Sequence, residues 1–409
     1  MIDYVLCFSP SKTVSDSIKE TFERVLKRGM SGTLGDVGAV FTYQYLSSGQ
    51  PERFNNLFKS RVFVIFDEIH HAAGYDETSS NSWGREILGR ISQHATYILS
   101  MTGTPWRTDK LPIALAQYVI PEGVIRTDYT YGIMEAIGDS VCRVPEINLL
   151  DNDQLIVDGE SFTSIGSALG DSNLRYTVLL ENEKALNQIL AIACERLKCI
   201  RETHEDAGGL IVAKSVEHAS LIYQILCNKF NQTAVIVTYQ DANSHAVIEE
   251  YRHSGEMWIV SVAMVSEGTD IPRLRVCVHL SHIKTELFFR QVLGRVLRRI
   301  PDLNNNVGWL YTFSEPSLAQ FARRVQRDIP DTNQIVVRQV ETENVAWEEI
   351  STKPSIDSTL CFNGDAANSD VHFLVGNKLD YSQQEHGIVS QLNFSLEGDF
   401  RQHVFSVFG

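Results

Sequence analysis

The segment Val62-Phe63-Val64-Ile65-Phe66-Asp67-Glu68-Ile69-His70-His71 constrains this chain more than any other stretch. Five residues that are all β-branched or aromatic predict a strand buried on both faces, and such strands belong to parallel sheets covered by helices. Two carboxylates and two histidines follow directly. In an open α/β sheet, ligands bind outside the carboxyl ends of the strands. A paired acid at such a strand end can hold Mg²⁺ and position a water. With Asp67 on the metal side and Glu68 as the base, the pair points to phosphate hydrolysis. The plainer alternative is an acidic strand end that only caps the next helix, and the motifs downstream weigh against it. A metal cluster of Asp67, Glu68, His70 and His71 is a third reading. Adjacent strand residues face opposite ways, and no H-E-x-x-H occurs, so that cluster is disfavoured.

The rest of the chain alternates strand and helix patterns. Residues 4–8 predict a strand that turns at Ser9-Pro10-Ser11 into a helix over 14–27. Residues 37–42 predict a strand leading into Tyr43-Gln44, 83–91 a helix, and 96–101 a buried strand ending in Thr102-Gly103-Thr104-Pro105. Residues 144–150 and 154–157 read as short antiparallel strands within a connector, and 176–200 as a long apolar-striped helix. A second run follows, with strands over 209–213, 234–238, 257–262, 275–280 and 308–313, helices over 216–228, 243–253, 285–299 and 315–328, and a strand over 334–340. Alternation of this kind predicts doubly wound parallel sheets, an α/β fold.

Composition narrows the class. A length of 409 residues suits two or three domains, and 43% hydrophobic content suits sizeable cores. A net charge of −15 argues against a protein that coats nucleic acid through bulk charge, while leaving room for a local basic groove. Seven cysteines occur without a C-x-x-C, which signals neither zinc nor a disulfide framework and fits a cytoplasmic protein with reduced thiols. No apolar run reaches the length of a membrane span, and the first residues lack a basic leader region, so no membrane partner is expected.

Two further motifs carry chemistry. In Glu267-Gly268-Thr269-Asp270, Gly268 allows close backbone approach and Asp270 can accept from a ribose hydroxyl; a surface turn is the alternative. In the helix over 285–299, Gln291, Arg295 and Arg298 are spaced to share one face, and Gly294 lets a ligand pack beside the arginines. Paired arginines on a rigid helix suit a triphosphate that gains charge in the transition state. A solvated basic face is the competing reading. Glycine within a helix costs about 1 kcal/mol, which argues for a purpose there.

Together these motifs resemble, in order, those of superfamily 2 DEAD/DEAH-like helicases, closest to the motor subunits of type I and type III restriction enzymes. Ser9-Pro10-Ser11 resembles motif Ia, and Thr42-Tyr43-Gln44 the motif of the next strand. Asp67 to His70 resembles motif II, Thr102 to Pro105 motif III and Ala213-Lys214-Ser215 motif IV. Glu267 to Asp270 resembles motif V, and Gln291 to Arg298 motif VI.

The resemblance implies two RecA-like domains forming a P-loop NTPase helicase core, with ATP and Mg²⁺ as cofactors and DNA rather than RNA as partner. It implies nucleic-acid-dependent ATP hydrolysis coupled to translocation or unwinding. Asp67 would hold Mg²⁺ through water, Glu68 would activate the attacking water, and Arg295 and Arg298 would be arginine fingers. Gly268, Asp270, Gln291 and His70 would serve nucleotide binding. Thr102, Gly103 and Thr104 would couple the site to its surroundings, and Ser11, Thr42 and Thr269 would touch the nucleic-acid backbone.

The chain departs from the family at the P-loop. A G-x-x-x-x-G-K-[ST] between a strand and a helix should precede the strand that begins near Tyr4, and no Gly-Lys dipeptide occurs anywhere. The expectation is an N-terminally incomplete first domain with an exposed sheet edge or apolar face. The chain would then be a truncated motor, a non-hydrolysing pseudo-motor, or a subunit needing a separate P-loop chain. The expected divisions are a first RecA-like domain over 1–145, a connector over 146–205, a second RecA-like domain over 206–340 and an extension over 341–409.

Overall fold

The fold comes from a computed structural model that describes residues 2–47, 56–74, 80–107, 111–119, 124–241, 243–262, 271–300, 307–327, 335–339 and 393–407. Met1–Tyr131 form one compact unit, and Gly132–Met264 with Ile271–Gly409 a second.

In the first unit, β1 (Tyr4–Ser9), β2 (Gly38–Thr42), β3 (Val62–Phe66) and β4 (Tyr97–Ser100) make a sheet in the order β2-β1-β3-β4. All three pairings are parallel. The apolar run of β3 behaves as its composition demands: Val62, Val64 and Phe66 are fully buried, beside Leu6 and Phe8 of β1. The Phe8 and Phe66 rings stack with centroids 5.6 Å apart. Burying each such side chain is worth about 1.5–3 kcal/mol. Ser9-Pro10-Ser11 turns β1 into α1 (Lys12–Leu26), whose N-cap is Ser11 and whose C-cap, Lys27, takes a left-handed conformation. A small antiparallel pair, β5 (Gln117–Val119) and β6 (Val124–Arg126), follows β4.

Parallel register brings the carboxyl ends of these strands to one edge of the sheet. Ser9 lies opposite Thr42, Phe8 opposite Phe66, and Phe66 opposite Ser100. The turns that follow therefore emerge side by side, carrying Ser11, Tyr43, Asp67 with Glu68, and Thr102. At the flank of the sheet, Tyr97, Leu99 and Met101 on and just after β4 are exposed.

The second unit holds an eight-stranded sheet in the order β11-β12-β10-β13-β14-β7-β17-β15. Its strands are β7 (Val144–Asn152), β10 (Gly208–Ala213), β11 (Ala234–Thr238), β12 (Trp258–Val262), β13 (Leu274–Leu280), β14 (Val307–Phe313), β15 (Ile335–Gln339) and β17 (Phe400–Val407). From β11 to β7 the pairings are parallel, and β17 runs antiparallel to both neighbours. A minor sheet joins β8 (Leu155–Val157), β9 (Glu160–Phe162) and β16 (Phe394–Leu396). The principal helices are α2 (Glu183–Arg201), α3 (Val216–Gln224), α4 (Ser244–His253), α5 (Glu286–Leu297) and α6 (Pro316–Arg327).

Three expectations are corrected here. Residues 144–152, expected in a connector, form a strand of the second sheet, parallel to β14 over seven paired residues. The helix expected over 176–200 is two helices, Tyr176–Glu181 and α2, because Asn182 leaves helical conformation and its side chain accepts from the Ala185 amide at 3.0 Å. Within the stretch expected as an extension over 341–409, Phe400–Val407 is an interior strand of the second sheet, paired on both sides.

Candidate active site

The site is built on the ends of β3 and β4. The Asp67 amide continues the ladder by donating to the Phe8 carbonyl at 2.9 Å. The Tyr43 hydroxyl donates to the Asp67 carbonyl at 2.8 Å. Asp67 is thus held by its backbone, and its carboxylate accepts from the Glu68 amide. Glu68 then adopts a left-handed backbone, φ 53° and ψ 51°, and the chain turns into a single 3₁₀ turn, Ile69–His71. A non-glycine residue held there costs of order 1 kcal/mol, and such positions cluster at functional sites.

Glu68 is fixed by the turn after β4. The Thr102 hydroxyl donates to Glu68 Oε2 at 3.2 Å, and the Gly103 amide donates to the same oxygen at 3.4 Å. The buried His70 ring stands against both, with Nδ1 2.8 Å from Thr102 Oγ1, 3.4 Å from Thr104 Oγ1 and 3.3 Å from Glu68 Oε2. With Thr102 donating to Glu68, the tautomer that satisfies this arrangement has Nδ1 protonated and donating to Thr102. Buried His70 Nε2 has no hydrogen-bond partner among the described residues. Arg107 donates to the His70 carbonyl. The Thr104 amide donates back to Thr102 Oγ1 at 3.1 Å.

The two carboxylates are pushed in opposite directions. Burial and the neighbouring charge of Glu68 raise Asp67 to about 6. Burial also acts to raise Glu68, but the His70 ring and the Gly103 amide hold it below the ordinary carboxylate range. Carboxylates set apart in this way suit separate roles. Asp67, a hard oxygen donor whose charge is costly without a counterion, fits a divalent cation that keeps most of its waters. Among the described residues, no group of three or more His, Cys, Asp or Glu side chains is arranged to hold a metal.

The structure brings Asp67, Glu68, His70, Thr102, Gly103 and Thr104 together. Ser11 and Thr42 sit on the same sheet edge, but the Ser11 hydroxyl already serves as the cap of α1, accepting from the Val14 amide at 3.4 Å. Gly268, Thr269 and Asp270 lie outside the described residues. Tyr43 and Arg107 complete the site and were not assigned to it from the sequence. Tyr43 directly follows Thr42 in the motif already singled out, and that adjacency was the available signal.

In the second unit Gln291 and Arg295 lie one turn apart on α5. The helix ends at Leu297, so Arg298 does not continue their face. Its backbone is extended, and it bridges to Cys142. Arg143, fully buried just before β7, holds this end of the helix. Its amide donates to the Leu297 carbonyl at 2.7 Å, and its guanidinium donates to the carbonyls of Val296 at 3.0 Å, Leu274 at 2.7 Å and Pro272 at 2.9 Å. Burial, reinforced by Arg275, lowers Arg143 to about 9. Lys214 pairs with Glu181, and Ser215 caps α3 by accepting from the His218 amide at 3.2 Å.

No protein-family model matches the chain. It is 31% identical over 277 residues to an uncharacterised protein of Mycobacterium leprae, covering 65% of this chain and 45% of that protein. It is 31% identical over 300 residues to an uncharacterised protein of Mycobacterium tuberculosis, covering 71% of this chain and 48% of that protein. The chain therefore spans about half the length of the curated relatives it matches. Among solved structures, a fragment assigned to the HsdR subunit of a type I restriction enzyme from Vibrio vulnificus aligns with a TM-score of 0.50 at 15% identity, over 78% of this chain and 54% of that one. At that identity the likeness speaks for the fold. In its fold, with α/β units built on largely parallel sheets, the chain is similar to that fragment.

Proposed function

We propose that the first unit holds the hydrolytic half of a nucleic-acid-dependent ATPase of the helicase or translocase kind. The observation that carries this reading is the carboxylate pair itself. Glu68 is oriented by Thr102 and Gly103, and Asp67 sits beside it with a raised affinity for protons. In this reading Asp67 holds Mg²⁺ through water. When bound, the cation supplies neutralisation of the phosphate charge. Glu68, held by Thr102 and Gly103, accepts the proton of the attacking water. His70 and the hydroxyls of Thr102 and Thr104 report occupancy of the site to the turn after β4. Arg295 supplies positive charge to the transferring phosphoryl, and Arg298, beyond the helix end, acts independently of it. Ser11, Thr42 and Thr269 contact a nucleic-acid backbone, with DNA the expected strand, in a cytoplasmic setting.

A second reading is a nucleic-acid-binding pseudo-motor that does not turn over by itself. Steady-state ATP turnover with and without single- and double-stranded DNA separates the two. DNA-stimulated turnover that is lost in Glu68→Gln supports the ATPase. DNA binding without turnover, unaffected by ATP, supports the pseudo-motor and overturns hydrolysis by this chain alone.

A further inference from the structure

The amino-terminal side of the second sheet carries buried positive charge without an acid beside it. Arg143, just before β7, and Arg275, on β13, are each 1% exposed. The acceptors they meet are main-chain carbonyls. Arg143 donates to Leu274, Val296 and Pro272, and Arg275 donates to Val307 through Nε at 3.3 Å and Nη2 at 3.0 Å. A carbonyl accepts a hydrogen bond but brings no net charge, and buried charges are ordinarily paired with an opposite one. Here neither guanidinium has a carboxylate partner among the described residues. The two cations instead oppose each other, the charge of Arg275 acting to lower Arg143.

The donors left over belong to two side chains in contact. Arg275 Nη1 is enclosed and has no hydrogen-bond partner among the described residues. The same holds for the indole Nε1 of Trp309, a residue 6% exposed. The Arg275 guanidinium lies over the Trp309 ring, with Cζ 5.6 Å from the ring centroid. Arg196 also lies against this ring, at 5.2 Å, but its Nε is taken by the Tyr311 hydroxyl at 3.3 Å. Buried polar atoms are paired roughly nine times in ten or more, and an exception calls for an ion or a water. A water satisfies a donor and leaves the charge; an anion answers both. His204, half-buried beyond the end of α2, feels the charges of Arg275 and Arg143, so the cluster reaches towards solvent there.

The donor set selects the anion. Both free groups only donate, so the ligand has to be a pure acceptor. Both are enclosed, so it has to be small. A monatomic halide meets both conditions and accepts N–H groups from any direction. We propose that Arg275 Nη1 and Trp309 Nε1 hold a chloride ion in the second unit. The ion offsets the repulsion between Arg275 and Arg143. Through Arg143, which holds the Val296 and Leu297 carbonyls, it steadies the end of α5. The site stands apart from the proposed hydrolysis and is tested without it.

The 409-residue chain is melted in sodium chloride and in sodium isethionate at equal ionic strength, which keeps screening the same. Line broadening in chlorine NMR reads the ion directly. The expected result is a melting temperature that rises with chloride along a saturating curve, and a broadening that disappears on unfolding in urea. Bromide should replace chloride. Trp309→Phe keeps an aromatic ring, loses the indole donor and should weaken chloride binding at least about tenfold. Arg275→Met should abolish it. Arg61→Met, at the ion pair with Asp3 in the first unit, should leave it unchanged. Circular dichroism checks that each variant folds, and Trp309→Phe decides the matter where Arg275→Met does not. No saturable effect of chloride on the unaltered chain overturns the proposal. So does chloride binding of full strength in Trp309→Phe, which puts the ion elsewhere, or saturating stabilisation by phosphate in place of chloride, which makes the ligand an oxyanion.

Discussion

Thr102 donates its hydroxyl hydrogen to Glu68 Oε2 across 3.2 Å, although 34 positions separate the two residues in sequence. That bond ties the end of β4 to the proposed base at the end of β3. The same hydroxyl oxygen meets the His70 ring at 2.8 Å, so one side chain joins a base, a buried imidazole and a turn.

Removing that hydroxyl should alter the base more than the fold. Thr102→Val keeps the shape and loses the donor to Glu68, costing about 1 kcal/mol of stability. Glu68 should then titrate at a higher pH, and the acid limb of the turnover profile should move up with it. Thr102→Ser should restore the wild-type profile. A pH–rate series on the three proteins, with thermal melting alongside, reads both effects.

Glu68→Gln should lower DNA-stimulated ATP turnover by about 10²–10⁴-fold, the range set by loss of a positioned base. Nucleotide binding, followed by equilibrium fluorescence, should survive. Loss of binding together with turnover would mean that Glu68 holds the ligand and does not activate water.

Arg295→Ala should lower turnover by about 10²–10³-fold, as expected when a donor to developing charge is removed. Arg298→Ala should have an effect of its own, because Arg298 lies past the end of α5 and its backbone bridges to Cys142. A double variant whose loss equals the product of the two single losses would bear out their independence. A double variant no worse than one single variant would show that they act as a unit.

The second unit should weaken on acidification. His218 and His279 are buried, and desolvation lowers both to about 4, with the Lys214 charge adding to the effect at His218. In the unfolded chain each has the ordinary histidine value of about 6.5. Above that value both states bind no proton at these sites, and stability is unaffected. Between about 6.5 and 4 the unfolded state binds protons that the folded state refuses, so stability falls by up to about 3 kcal/mol per histidine. Urea midpoints taken from pH 7.5 to 4.5 by tryptophan fluorescence should show this decline. His279→Leu should remove part of it.

Arg143→Met should cost about 3 kcal/mol, through the carbonyls of Val296, Leu274 and Pro272 left without their shared donor. Denaturant melting reads the loss. A change below about 1 kcal/mol would mean that water replaces the guanidinium.

Much of the first unit was legible because its signals are local. An unbroken apolar run ending in two acids specifies both a buried strand and the place where its polar residues emerge. The coupling of Thr102 to Glu68 was legible through motif order, since parallel strands deliver their following turns to one edge. What escaped was set by distant residues. The end of α5 is held by Arg143, which no pattern within 286–299 reveals. The role of 144–152 as a sheet strand depends on β14 and β17, far along the chain. The break at Asn182 was readable, because asparagine before Glu183 is a strong helix cap. The continuous apolar stripe on either side of it masked that signal.

The position of β17 has a consequence for biogenesis. β7 is the earliest strand of the second sheet to leave the ribosome, yet one whole side of it waits for Phe400–Val407. While some 250 intervening residues are being made, at roughly 5–20 residues per second, the outer side of β7 stays unpaired in the nascent chain. Closure over so long a loop is slow. The second unit should therefore be most open to misassociation and to chaperone capture during synthesis, and least so once β17 has slotted between β7 and β15.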